Sequence, residues 1–157
     1  MIEINLSKKI RRYPLKDRRK FLRIIDFVVK KSSLPSLSKN VPCEINFVLV
    51  SDKAIEEYNN TYLQHEGPTD VITFDYLEDL EEEGVLGEVL ISLDTAKTQA
   101  AENNTTFQEE LVLYIIHGIL HLCGYDDHEN EDIVKMRRAE AEMMNLVKAE
   151  FNFENVI

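Results

Sequence analysis

Three of the four histidines in this chain fall within His117-Gly118-Ile119-Leu120-His121-Leu122-Cys123-Gly124-Tyr125-Asp126-Asp127-His128. No other segment concentrates so many side chains able to do chemistry. His117 and His121 are four apart in a run that reads as helix, so they share one face and their imidazoles can converge on a single ion. Gly124 ends that helix, because glycine takes the left-handed conformation a C-terminal cap needs, and the chain turns back carrying Asp127 and His128. A lone histidine among Ile115, Ile116, Ile119 and Leu120 is ordinarily a hydrogen-bonded core residue. Three together point to a metal. Neutral imidazole suits zinc, and a catalytic zinc takes three protein ligands and keeps one position for water. Nickel or another divalent ion is compatible with the same donors.

In helical zinc proteases the residue after the first histidine is Glu, the general base. Here it is Gly118. A peptidase is therefore disfavoured, and a proton-transfer group must come from elsewhere. Asp70, Asp126 and whichever of Asp127 and His128 is not a ligand are the candidates.

The elements that must position these residues follow from periodicity. Ile2 to Leu6 alternates weakly as an edge strand, and Phe21, Leu22, Ile25, Val28 and Val29 give Asp17 to Lys31 helical spacing. Leu34 to Pro42 is rich in Ser and Pro and reads as loop. Ile45 to Val50 is a β-branched strand, and Ser51 caps a helix through about Tyr62. Val71 to Phe74 and Glu88 to Ser92 read as strands separated by an acidic loop. Asp94 is a candidate cap for a helix to Glu102; Thr106 with Glu109 is a capping box opening the histidine helix, which runs to about Cys123. A last helix, Glu131 to Phe151, has Ile133, Met136, Met143, Met144 and Val147 as its expected buried side. The fold class is α/β (α+β): a single domain over residues 1–157, a small mixed sheet packed with about five helices, and the metal site at the end of the central helix.

Composition bounds the function. The 157 residues suffice for one real core. Cys43 and Cys123 are too few for a disulfide framework and read as reduced and cytosolic. No apolar run approaches signal-peptide or membrane-span length, so a soluble cytoplasmic protein is expected, with no membrane partner. The net charge is −11, but residues 1–31 hold eleven Lys and Arg against three acids, a net of +8 that leaves −19 on the rest. A charge run is often just a solvated face; this asymmetry permits an RNA partner without establishing one.

The signature His117-Gly118-x-Leu120-His121-Leu122-x-Gly124-Tyr125-Asp126, followed by a ligand-type residue, resembles that of the YbeY family. Pro68-Thr69-Asp70-Val71-Ile72-Thr73-Phe74 is similar to the family's Pro-Thr-Asp segment, and Leu86-Gly87-Glu88-Val89-Leu90-Ile91-Ser92 to its Gly-Asp-Ile strand. The likeness covers about residues 43 to 145. It implies a metal-dependent endoribonuclease acting on single-stranded ribosomal RNA, in 3′-end maturation of small-subunit (16S) RNA and ribosome quality control, with the small subunit as partner and no DNA substrate. Asp70 would then orient ligands or substrate, and the metal would acidify bound water and polarise a phosphoryl oxygen.

Two departures from the family pattern stand out. The third ligand is expected ten residues after the first, usually as His; that position is Asp127, with His128 next. Spacing favours Asp127 and residue type favours His128, and if both bound alongside His117 and His121 the site would be closed and structural. Leu63 stands where many members carry an Arg that helps bind RNA phosphate, and leucine cannot pair with phosphate. His65 or a basic N-terminal residue is a candidate substitute. The alternative function is a ribosome-assembly factor with a structural zinc.

Overall fold

The computed structural model describes residues 1–62 and 70–157. Strand β1 spans Ile2–Lys8, and Asp17 caps helix α1 (Arg18–Lys31) by accepting from the Lys20 amide at 2.9 Å. The buried stripe of α1 is Phe21, Ile24, Ile25, Val28 and Val29, so Ile24 takes the place expected for Leu22. A single-turn helix, α2 (Leu34–Leu37), interrupts the expected loop. After β2 (Cys43–Val50), the Ser51 hydroxyl accepts from the Ala54 amide at 3.2 Å and starts α3 (Asp52–Tyr62).

Strand β3 (Val71–Asp75) leads through a 3-10 turn, Leu77–Asp79, into α4 (Leu80–Glu83), so the acidic segment is partly helical rather than loop. Strand β4 (Val85–Ser92) is followed by α5 (Leu93–Asn103), whose cap is Ser92 and not Asp94. The Asp94 carboxylate is used elsewhere: it accepts from the Asp52 amide, the Tyr13 hydroxyl and the Arg12 guanidinium. Thr106 caps α6 (Phe107–Leu122), accepting from the Glu109 amide at 3.1 Å, and α7 spans Asn130–Glu150. Among the described residues, the five longer helices, α1, α3, α5, α6 and α7, are the five expected from sequence.

The sheet order is β1-β2-β4-β3, with β1, β2 and β4 parallel and β3 antiparallel at the edge. Alternation along β2 sends Ile45, Phe47 and Leu49 into the main core, while Val48 and Val50 join Ile55, Ile72 and Leu90 in a smaller cluster on the other face. Helix α6 lies in the main core and touches β3, β4, α1, α5 and α7. Leu111, Val112, Ile115, Ile116 and Ile119 are fully buried, each contributing roughly 1.5–3 kcal/mol.

Gly118 is where α6 meets the sheet. A Cβ there would come within 2.5 Å of Val89 Cγ1 on β4, which explains why the position after the first histidine carries no side chain. The close approach anchors His117 and His121 on a helix packed along its length, so their backbone positions are set by the core.

Candidate metal centre

The last turn of α6 and the segment after it assemble three donors. His117 Nε2 and His121 Nε2 lie 3.0 Å apart, and Asp127 Oδ2 is 3.6 Å from each. Donors around a tetrahedral zinc are roughly 3.3 Å from one another, since the bonds are about 2.0–2.1 Å long. The three separations bracket that value, and two imidazoles with a carboxylate are a zinc-compatible set. The residues therefore fit a divalent ion. Their side chains are mostly shielded on the histidine side, 16% exposed at His117 and 25% at His121.

The turn that delivers Asp127 is built by the helix end. The amides of Gly124 and Tyr125 return to the carbonyls of His121 and Leu120, each at 3.0 Å, and Gly124 has φ 100, a conformation costly for other residues. Asp126 Oδ1 then accepts from the Asp127 amide at 2.7 Å. Asp126 thus braces the backbone of the residue beside it. His128 is 83% exposed, and its Nε2 lies 3.4 Å from Asp126 Oδ1.

Behind His117 stands Glu140 of α7, a residue the sequence reading missed. His117 Nδ1 donates to Glu140 Oε2 at 2.9 Å, which fixes the tautomer and leaves Nε2 with its lone pair on the donor side. The other oxygen, Oε1, accepts from Arg137 at 2.8 Å. Burial pushes the Glu140 carboxyl up, but the hydrogen bonds from His117 and Arg137 outweigh it and hold the group below its ordinary range. Burial, reinforced by the neighbouring His117, pulls His121 down against the attraction of Asp127, so its imidazole stays neutral at pH 7 and able to ligate. A sequence signal for Glu140 existed: it is 5% exposed because it falls in the stripe Met136, Glu140, Met143, Val147, one charge at helical spacing among apolar residues. In that stripe Ile133 and Met144 are only partly buried.

The site opens into a cleft of about 600 Å³ between α6, α7 and the head of β3, with His117, Asp127, Arg137 and Asp70 among its walls. Asp70 is exposed there, its Oδ1 accepting from the Val71 amide at 2.8 Å. Tyr114 also lines the cleft, its hydroxyl pushed up by burial and by Asp70 and Glu110. The expectations for Leu63 and His65 lie outside the described residues. So do Pro68 and Thr69.

The family described as Endoribonuclease YbeY matches residues 4–148. A Bacteroides fragilis Endoribonuclease YbeY is 50% identical over 84 residues, 54% of this chain and 58% of that protein. The chain thus spans little more than half the length of that relative. The Syntrophotalea carbinolica protein of the same name is 40% identical over 114 residues, covering 69% of this chain and 75% of its own. The solution structure of TM1509 from Thermotoga maritima matches with a TM-score of 0.57 at 27% identity, covering 94% of this chain and 90% of that one. With its histidine signature, four-stranded mixed sheet and near-complete family match, the chain belongs to the YbeY family.

Proposed function

We propose that this protein is a metal-dependent endoribonuclease that hydrolyses single-stranded RNA, with one zinc ion held by His117, His121 and Asp127. The observation that carries the reading is the convergence of His117 Nε2, His121 Nε2 and Asp127 Oδ2 within 3.6 Å at the mouth of an open cleft. Nickel or another divalent ion is compatible with the same donors. The names of the relatives supply the substrate class, and the family resemblance supplies the biological setting: 3′-end maturation of 16S ribosomal RNA and ribosome quality control in the cytoplasm, with the small subunit as partner. Two free cysteines accord with a reducing compartment, and among the described residues no helix is long and apolar enough to cross a membrane.

A divalent ion in a three-ligand site supplies Lewis acidity, lowering the pKa of water to about 7 and polarising a phosphoryl oxygen. The chain's own residues do the rest. Glu140 fixes the His117 tautomer, and Asp126 holds the Asp127 backbone so that its carboxylate meets the two imidazoles. Asp70, at the head of β3 on the cleft wall, is the carboxylate assigned to proton transfer or substrate orientation. His128 is left as an exposed residue outside the ligand set.

The competing reading is a non-catalytic ribosome-assembly factor with a structural zinc. Structural zinc sites are closed by four protein ligands, whereas three donors beside an open cleft favour catalysis. Metal content and cleavage of single-stranded ribosomal RNA, compared for the wild type and His121→Ala, separate the two. The nuclease reading expects stoichiometric metal, and cleavage that falls to background in a variant retaining its circular dichroism spectrum. Metal without cleavage in the wild type, or a variant that no longer folds, supports the structural role.

A further inference from the structure

We infer that Arg137 is the residue that receives a substrate phosphate beside the metal centre, held ready by Glu140; the inference rests on the nuclease reading above. The cleft wall is strongly acidic. Among the described residues, Asp70, Glu109, Glu110, Asp127 and Glu140 line it, against two cationic side chains, Arg137 and Lys148. The ion proposed above would offset the acids only at its own ligands, so a phosphate further along this acidic wall is repelled unless a cation of the chain stands where it binds. Lys148 is engaged at the far end, its Nζ 3.3 Å from Glu109 Oε2. Arg137 shares its partner, Glu140, with His117, so it is the cation tied to the donor set.

The pairing is asymmetric in a way that suits this role. Glu140 is 5% exposed and Arg137 67% exposed. The buried carboxylate grips one edge of the guanidinium through NH1 at 2.8 Å. A guanidinium has five N–H donors in a planar fork matched to phosphate, so one edge can be anchored while others remain for a ligand. Anchoring also removes part of the rotamer entropy that a free arginine loses on binding. Glu140 thus serves two partners with its two oxygens, orienting a metal-ligating histidine with one and a phosphate-binding arginine with the other. The consequence is a fixed offset between ion and cation along the substrate backbone.

The test uses a fluorescein-labelled single-stranded oligoribonucleotide, bound in the presence of a chelator so that neither cleavage nor metal loading enters. Wild type, Arg137→Ala, Arg137→Lys and Arg138→Ala are compared by fluorescence anisotropy across a salt series. Arg138 is an exposed neighbour on α7 and controls for net charge. Arg137→Ala is expected to weaken binding roughly 10-fold or more, as for a charge-assisted hydrogen bond, and to reduce the slope of log K against log salt by about 0.7, one phosphate contact on a single strand. Arg137→Lys should keep the slope and recover part of the affinity. Equal losses in Arg137→Ala and Arg138→Ala, or an unchanged slope in Arg137→Ala, would overturn the assignment while leaving the nuclease reading standing. A wild type that does not bind in chelator but cleaves with metal restored would overturn the assignment alone, because the ion and not Arg137 would then hold the phosphate; one that neither binds nor cleaves would overturn both.

Discussion

Among the described residues, two groups of side chains with metal-ligand chemistry meet at Asp127. His117, His121 and Asp127 form one, partly shielded on its histidine side; Asp126, Asp127 and His128 form the other, all exposed. Their donor chemistry is similar, but their support is not. In the first group two ligands stand on a core helix pressed against β4 at Gly118, and a buried carboxylate orients one of them. In the second, His128 has no comparable packing, being 83% exposed, and its contact is a neighbouring exposed aspartate. A ligand already held in place loses little entropy on binding an ion, while a solvated one must be ordered at that moment. Metal affinity should therefore follow the support behind each donor and not the donor count.

The largest effect expected from this contrast lies in Asp127→Ala against His128→Ala. Loss of Asp127 should cut zinc affinity, measured by competition with a chromophoric chelator, by more than the roughly 10–100-fold that outer-shell partners contribute. His128→Ala should stay within about twofold, the scale of a surface substitution. Reversed effects would move the third ligand to His128.

Next in size is Glu140→Gln, which keeps an acceptor for His117 but removes the charge. Zinc affinity should fall about 10–100-fold with the three donors intact, and unchanged affinity would show that the buried carboxylate serves packing alone. Gly118→Ala probes the helix contact instead. On an exposed helix the change would stabilise by about 1 kcal/mol, but overpacking against Val89 should cost about 1–3 kcal/mol, read as a lowered Tm. A raised Tm would mean that α6 can move off the sheet.

The smallest effect is in acid. His121 sits below its ordinary value of 6.5 and Glu140 below 4.5, so at intermediate pH the unfolded chain binds more protons than the folded one. Their contribution is full above those ordinary values and is lost as pH falls through the lowered folded ones. The Tm of metal-free protein should decline first below about pH 6.5 and again below about pH 4.5. A Tm that rises on acidification through the first window would contradict the burial argument for His121.

How much of this was legible beforehand depended on periodicity. The spacing of His117 and His121 carries its geometry within it, because a helix repeats; so do the stripes of α1 and α7 and the five longer helices. The turn after Gly124 has no period, and for that reason sequence alone left Asp127 and His128 unresolved between spacing and residue type. Helices α2 and α4 are four residues each, too short for a repeat to register. Asp94 had the chemistry of a cap, but Ser92, two residues earlier, took the position and Asp94 became a tie between the N-terminal segment and α3. Glu140 carried a signal in its spacing within the apolar stripe, but its type masked it, since a glutamate on a long charged helix ordinarily faces water. Arg137 carried none, and its link to His117 through Glu140 is defined only once α7 packs against α6.

The central claim is that the ion sits between His117, His121 and Asp127, and X-ray absorption spectroscopy of the zinc-loaded protein, wild type and His128→Ala, tests it most directly. The account predicts two imidazole nitrogens and a carboxylate oxygen in the first coordination shell of both proteins, with indistinguishable spectra. Three imidazoles in the wild type falling to two in His128→Ala would contradict it.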